Sequence, residues 1–206
     1  MRDEHAALVA RARERQARAR GVMAALRLLE EWGKVGEPVL VGATRTGLTV
    51  SPDIDMEVYT QSPQIPDGFA VVARLAQVPG VCQVRFANEL EGPDQGLYWQ
   101  LRYRDPSGLM WKVDTWLVAH DHPQAHWAER FADALVATLT DDTRAAILRV
   151  KEALQGQADA RGIDIYRAVL EGGVRDAEQF RRWQAATPSE GLIWWMPPGA
   201  SGEGLP

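Results

Sequence analysis

A short acidic run in this sequence has the residue types and the spacing of a divalent-cation site. Asp53, Asp55 and Glu57 alternate with apolar residues over positions 53–58. In a β-strand alternate side chains share a face, so the three carboxylates would lie together on one side and the apolar residues on the other. Like charges so placed repel each other, and hard divalent cations with oxygen ligands would neutralise them.

A glycine-bearing turn precedes the acidic run. Gly42 and Ala43 follow a short apolar stretch at 39–41, and nine residues, 44–52, separate Ala43 from Asp53. The spacing predicts a strand, a turn and a short helix. The first amides of such a helix would point toward an anion such as phosphate, and Thr44 and Arg45 would lie in the same turn.

A third acidic residue lies in a later β-rich region. Residues 97–104 and 109–117 both have β-type composition, and the intervening Asp-Pro-Ser-Gly at 105–108 is a strong turn signal. A hairpin is therefore predicted, with Lys112 and Asp114 on one face of its second strand. Asp114 would meet Asp53 and Asp55 if the two acidic strands lie near each other in the sheet.

These residues together resemble the signature of the nucleotidyltransferase superfamily related to DNA polymerase beta. The signature is an apolar residue, Gly, a small residue, a spacer and then Asp-apolar-Asp, and residues 39–118 carry the likeness. The chain departs from it at Ala43, where the family usually has Ser or Gly. The resemblance implies that Asp53, Asp55 and Asp114 hold Mg²⁺ and perform catalysis. It also implies that Gly42, Ala43, Thr44 and Arg45 bind the donor, a nucleoside triphosphate.

The arrangement of predicted elements indicates an α+β fold. The expected divisions are an N-terminal helical segment at 1–34, a catalytic core with a mixed sheet at 35–120, a helical C-terminal unit at 121–190 and a partly disordered tail at 191–206. Within the first segment the periodicity predicts one helix or two over 4–32, with Gly21 as the candidate break. Strands are expected at 39–41 and 81–86, with a helix between 67 and 76. In the C-terminal unit, Asp141 or Asp142 and Asp176 are the expected helix starts.

The charge and composition of the chain indicate which partners and which cellular location to expect. The net charge of −5 gives no overall basic field, which argues against long nucleic acid and favours a small-molecule or protein hydroxyl as acceptor. Cys82 is the only cysteine, which favours a cytoplasmic location, and the absence of a long apolar stretch predicts no membrane span. The resulting prediction is a magnesium-dependent enzyme that transfers a nucleoside monophosphate from a triphosphate such as ATP to a small molecule, a protein or a tRNA.

Other interpretations of the same residues remain open. Ala43 keeps a catalytically silent protein possible, one that binds nucleotide or a partner chain through the same fold. His120, His122 and His126 suggest a zinc site, although strand exit and helix capping are the simpler explanation. Glu57 would be a general base, a ligand in the outer coordination shell of the metal, or a solvated strand end. Lys112 would either neutralise Asp114 or reach a phosphate.

Overall fold

The computed structural model describes residues 2–157, 159–187 and 195–198, and they form two compact units. One unit comprises Gln16–Arg45 and Pro52–Glu129; the other comprises residues 2–15, Thr46–Ser51 and the described residues from Arg130 onward. The units are interleaved along the chain, whereas the predicted divisions at 34, 120 and 190 are sequential. The predicted tail at 191–206 falls mostly outside the described residues.

The first unit is built on a five-stranded mixed sheet, which confirms the α+β prediction. The strands follow in the spatial order β1-β2-β5-β4-β3, and β2 and β5 are parallel while the other neighbours are antiparallel. The predicted hairpin forms from β4 and β5. The strands are β1 Glu37–Val41, β2 Asp53–Thr60, β3 Val81–Asn88, β4 Leu97–Arg104 and β5 Met110–Ala119.

The described chain also contains eight helices. Their bounds are α1 Arg2–Ala25, α2 Leu28–Trp32, α3 Gly42–Thr46, α4 Ile65–Leu75, α5 Trp127–Thr138, α6 Asp141–Ala153, α7 Gly162–Leu170 and α8 Ala177–Ala186. None of the described helices has the length and apolar character of a membrane span.

Alternation along β2 determines which face of the sheet is buried. Ile54, Met56 and Val58 are almost fully buried in the main core of the first unit, together with Trp32 and Leu75 from the helices. Burial of side chains of this size stabilises the fold by about 1.5–3 kcal/mol each. The acidic residues of β2 occupy the opposite, half-buried face. The hydrophobic core therefore fixes the side of the sheet on which the carboxylates lie.

The N-terminal helix breaks at a different position from the one predicted. The helix runs through Gly21, and the chain turns at Arg27, whose φ of 51° is left-handed. Leu26 and Leu28 flank this residue and are both buried. Residues two apart on a continuous helix point in nearly opposite directions, so the turn at Arg27 allows both leucines to enter the core. Gly21 is tolerated because a single glycine costs a helix only about 1 kcal/mol.

The second unit is mainly helical, and two of its helices begin at a side-chain cap. The hydroxyl of Thr140 accepts a hydrogen bond from the Thr143 amide and caps α6, one residue before the predicted start at Asp141 or Asp142. Asp176 caps α8 as predicted. The segment Thr46–Ser51 belongs to this unit, and Lys151 of α6 donates to the carbonyl of Leu48 at 2.8 Å.

We expect Glu31 to make the first unit sensitive to acid. Its side chain is only 10% exposed and pairs with Lys34 and Arg74, each at 2.6 Å. Hydrogen bonds from Lys34 and then Arg74 lower the pKa of Glu31 from 4.5 to about 2. A depressed carboxyl pKa stabilises the fold above the unfolded pKa, and this stabilisation is lost as the pH falls from 4.5 toward 2.

Urea unfolding at several pH values tests this expectation. Glu31→Gln should flatten the dependence of unfolding free energy on pH between 4.5 and 2. The neighbouring Glu30→Gln is the matched control, because the Glu30 side chain is 53% exposed and pairs with Arg27. Equal pH slopes for the native protein and Glu31→Gln would contradict the prediction.

Candidate active site

The register of the sheet brings the three aspartates together. In the parallel pairing of β2 and β5, Asp53 lies opposite Lys112 and Asp55 lies opposite Asp114. Directly opposed residues present their side chains on the same face. One carboxylate oxygen from each of Asp53, Asp55 and Asp114 lies within 4.8 Å of the others. This is the distance range in which a small oxygen-ligated cation can be shared.

Gly42 provides the space that Asp55 occupies. It follows Val41, which pairs with Asp55 in the β1–β2 register, and its φ of +64° is one that glycine adopts without steric cost. A Cβ atom at this position would lie 2.3 Å from Oδ2 of Asp55. A glycine here therefore serves two needs, the turn from β1 into α3 and the close approach of the carboxylate.

Asp114 is held by a set of hydrogen bonds. Tyr98 donates to its Oδ1 at 2.7 Å, and Gln100, directly opposite in the β4–β5 register, donates to the same atom at 3.0 Å. Burial and the contact with Asp114 raise the pKa of Tyr98 to about 12, so its hydroxyl keeps its proton at neutral pH and donates the hydrogen bond to Asp114. Neither Tyr98 nor Gln100 was predicted as a site residue from the sequence; their alternation with apolar residues along β4 was the available signal.

Lys112 lies between two of the carboxylates. Its Nζ atom is 2.7 Å from Oδ2 of Asp114 and 3.2 Å from Oδ2 of Asp53. Burial alone would lower the Lys112 pKa, but the hydrogen bond to Asp114 and the charges of Asp53 and Asp114 outweigh it and raise the pKa above its usual value. The lysine is therefore charged, and its ammonium is a cation within the acidic cluster.

The other residues of the predicted donor-binding turn make contacts within their own unit. The Thr44 side chain is buried, and its hydroxyl donates to the carbonyl of Asp53 at 3.0 Å. Arg45 donates to the carbonyl of Leu40 at 3.1 Å and pairs with Glu129 at 3.2 Å. Ala43 is half-buried in α3. Thr44 thus holds the start of β2 close to the turn, and donor binding by Gly42, Ala43, Thr44 and Arg45 stays a prediction.

Glu57 continues the acidic face of β2 beyond Asp55. It lies opposite Trp116 in the register, and it accepts a hydrogen bond from the hydroxyl of Tyr59. Burial raises the pKa of Glu57, while the hydrogen bond from Tyr59 opposes the rise. Tyr59 also accepts a hydrogen bond from the amide of His126 at 2.9 Å. Glu57 is thus partly buried rather than fully solvated, and it does not belong to the cluster formed by Asp53, Asp55 and Asp114.

The histidines near the end of β5 serve local structure. His126 stacks on Tyr59 with ring centroids 4.0 Å apart, and its Nδ1 lies 3.2 Å from Glu129. Nδ1 of His122 accepts a hydrogen bond from the Gln124 amide. Within residues 2–157, 159–187 and 195–198, the acidic triad is the group that meets the geometry for a shared ion, and no histidine belongs to it. The zinc hypothesis therefore has no support in the described part of the chain.

Comparison with known proteins gives matches in structure only. No protein-family model and no curated protein sequence matches this chain. The Cid1 poly(U) polymerase with MgGTP bound matches with a TM-score of 0.56 and 17% identity, over 76% of this chain and 50% of that one. The non-canonical poly(A) polymerase complex GLD-2–GLD-3 matches with a TM-score of 0.52 and 12% identity, over 82% and 60%. A cytoplasmic RNA terminal U-transferase matches with a TM-score of 0.50 and 15% identity, over 75% and 47%.

These likenesses establish the fold. The chain has the nucleotidyltransferase fold related to DNA polymerase beta, so the resemblance drawn from the glycine turn and the aspartates is confirmed at that level. It spans about half the length of the chains it matches.

Proposed function

We propose that this protein is a magnesium-dependent nucleotidyltransferase that moves a nucleoside monophosphate from a triphosphate donor to a hydroxyl acceptor. The observation that carries the proposal is the position of Asp53, Asp55 and Asp114, whose oxygens lie within 4.8 Å of one another. The fold supports the same class, because its structural neighbours include enzymes named as polymerases and a terminal transferase.

The residues of the triad fit a magnesium ion. Asp53, Asp55 and Asp114 offer hard oxygen donors on adjacent strands, and a cation, the Lys112 ammonium, already lies at the cluster. Mg²⁺ bound there would lower the pKa of the acceptor hydroxyl and stabilise the charge of the departing pyrophosphate.

The protein's own residues position the carboxylates. Tyr98 and Gln100 direct two donors at one oxygen of Asp114, which fixes the orientation of that side chain. Gly42 leaves room for Asp55, and the Thr44 hydroxyl holds the backbone at Asp53. Phosphoryl transfer depends mostly on positioning and charge, so a carboxylate cluster that is already ordered is the main contribution this chain would make.

The turn at Gly42–Arg45 remains our proposed binding segment for the triphosphate, with ATP among the donors. Contacts between this turn and the triad support the assignment. Gly42 lies against the side chain of Asp55, and the Thr44 hydroxyl donates a hydrogen bond to the backbone carbonyl of Asp53. The Thr44 hydroxyl is engaged with backbone, so the backbone amides are the groups we assign to the phosphates. Arg45 would have to exchange its partner Glu129 for a phosphate.

The proposal includes several classes of acceptor. We retain small-molecule, protein and tRNA hydroxyls and a cytoplasmic location. The expectation that long nucleic acid is not a partner has no support from the structural neighbours, one of which is named as an RNA terminal U-transferase. RNA ends therefore join the candidate acceptors.

A catalytically silent protein is the second candidate. Two observations favour it: Ala43 stands where the family usually has Ser or Gly, and Lys112 already neutralises part of the triad. Such a protein would bind nucleotide or a partner chain and transfer nothing.

Calorimetric titration with ATP, GTP, CTP and UTP, with and without Mg²⁺, tests the proposal. We expect at least one nucleotide to bind, and to bind more weakly when magnesium is absent. The preferred nucleotide, labelled at the α-phosphate, would then be offered with small hydroxyl compounds, tRNA, an RNA oligonucleotide and proteins. Label transferred to any acceptor supports an enzyme. Nucleotide binding without transfer favours the silent protein, and no binding by any nucleotide contradicts both the donor and the metal assignments.

A further inference from the structure

The ammonium of Lys112 lies among the carboxylates that would bind a divalent cation. It contacts Oδ2 of Asp53 and Oδ2 of Asp114, which belong to different strands. Neither the strand pattern nor the turn requires a lysine here, since position 112 is on the half-buried face, away from the hydrophobic core. The contacts identify Lys112 as the resident counter-cation of the triad.

We propose that Lys112 determines when this protein binds metal, by exchanging partners. In the free protein it pairs with Asp53 and Asp114 and weakens the binding of a bare divalent cation. When a metal–nucleotide complex arrives, the lysine leaves the carboxylates and pairs with the triphosphate. This inference rests on the proposed function, because it assumes that the same triad binds the metal of the donor.

Electrostatics gives the reason for the exchange. A positive charge about 3 Å from two metal ligands competes with the metal for those ligands and repels it, as like charges at one site do. A neutral side chain at position 112 should therefore strengthen the binding of a bare cation. Once a metal holds the carboxylates, the ammonium needs another anion, and a triphosphate is an anion with several acceptor oxygens. The same neutral side chain should therefore weaken binding of the metal–nucleotide complex.

The test measures both affinities in the full chain. Mn²⁺ binding without nucleotide is followed by the loss of the free-ion electron paramagnetic resonance signal, and MgATP binding is followed by calorimetry. For Lys112→Met we expect Mn²⁺ affinity to rise by at least about tenfold and MgATP affinity to fall by about tenfold. A role limited to holding the fold together would move the two affinities in the same direction.

Two variants serve as controls. Lys112→Arg keeps the charge and should leave Mn²⁺ affinity within about threefold of native. Arg102→Met removes a positive charge directly opposite Lys112 in the β4–β5 register, and Arg102 forms no ion pair with the aspartates among the described contacts. It should leave both affinities close to native. If Lys112→Met does not fold, Lys112→Gln provides the neutral side chain with a polar end.

The outcomes separate this inference from the proposed function. Native-like Mn²⁺ affinity in Lys112→Met overturns the inference while the metal site stands. Tighter Mn²⁺ binding together with unchanged or tighter MgATP binding overturns the partner exchange. Mn²⁺ binding by Lys112→Met but not by the native protein supports Lys112 as the residue that excludes the bare ion, and the proposed enzyme is overturned only if the native protein also fails to bind MgATP. No Mn²⁺ binding by either protein overturns the inference, and the absence of MgATP binding as well overturns the proposed function.

Discussion

The double substitution Asp53→Asn/Asp55→Asn should abolish magnesium-dependent nucleotide binding and lower any transferase activity by at least ~10³-fold. The amide has nearly the shape of the carboxylate but no negative charge, so it is a poor ligand for a hard divalent cation. Both residues lie on the half-buried face of β2, away from the main core. We therefore expect the variant to fold normally and to lose magnesium-dependent nucleotide binding and activity.

Three measurements support the interpretation of this variant. Circular dichroism and urea unfolding establish that the fold is intact, calorimetry with MgATP measures binding, and label transfer measures activity. Asp67→Asn is the matched control, because Asp67 is an exposed carboxylate of α4 in the same unit. A double variant that binds MgATP with native affinity would contradict the assignment of the triad as the metal site.

Gly42→Ala should weaken metal binding strongly through one added methyl group. The new Cβ atom would lie 2.3 Å from Oδ2 of Asp55, so the carboxylate would have to move. Displacement of a catalytic group by about 1 Å can cost ~10²-fold in rate, and we expect Mn²⁺ and MgATP affinity to fall by a comparable factor. The left-handed φ of +64° adds a backbone cost of about 1–2 kcal/mol in stability for alanine.

Gly108→Ala separates the two effects of that substitution. Gly108 lies in the turn between β4 and β5 and also has a positive φ, +87°, but a Cβ atom there would meet nothing within 4 Å. Its alanine variant should therefore lose a similar amount of stability, measured by urea unfolding, and keep native metal affinity. If both variants lose stability equally and both retain metal affinity, Gly42 is only a turn residue and its role beside Asp55 is wrong.

The substitutions at Asp53 and Asp55 and the substitution at Lys112 should have opposite effects on binding of the bare ion. Removing carboxylates weakens metal binding with or without nucleotide. Removing the ammonium should strengthen binding of the bare ion and weaken binding of the metal–nucleotide complex. A set of variants measured under both conditions thus distinguishes residues that hold the metal from the residue that competes with it.

Local patterns in the chain identify the acidic residues of the site and predict most of the helices and strands. Alternation of Asp53 and Asp55 with buried apolar residues fixed both the strand and its acidic face, because side-chain direction along a strand has a period of two. The turn signal at 105–108 fixed the β4–β5 hairpin, and Asp176 fixed the start of α8. The helix break was misplaced because Gly21 is tolerated within a helix, whereas the turn at Arg27 follows from the burial of the leucines beside it.

The contacts among the site's side chains depend on long-range packing, which local patterns do not specify. The parallel register of β2 and β5 places Asp114 beside Asp55 and Lys112 beside Asp53, and that register joins strands that are far apart in the sequence. The contacts of Tyr98 and Gln100 with Asp114 depend in turn on the register of β4. A shift by one residue would turn these side chains to the other face, and the burial of a whole sheet face excludes it. Local spacing therefore identifies the carboxylates, while long-range packing selects their neighbours.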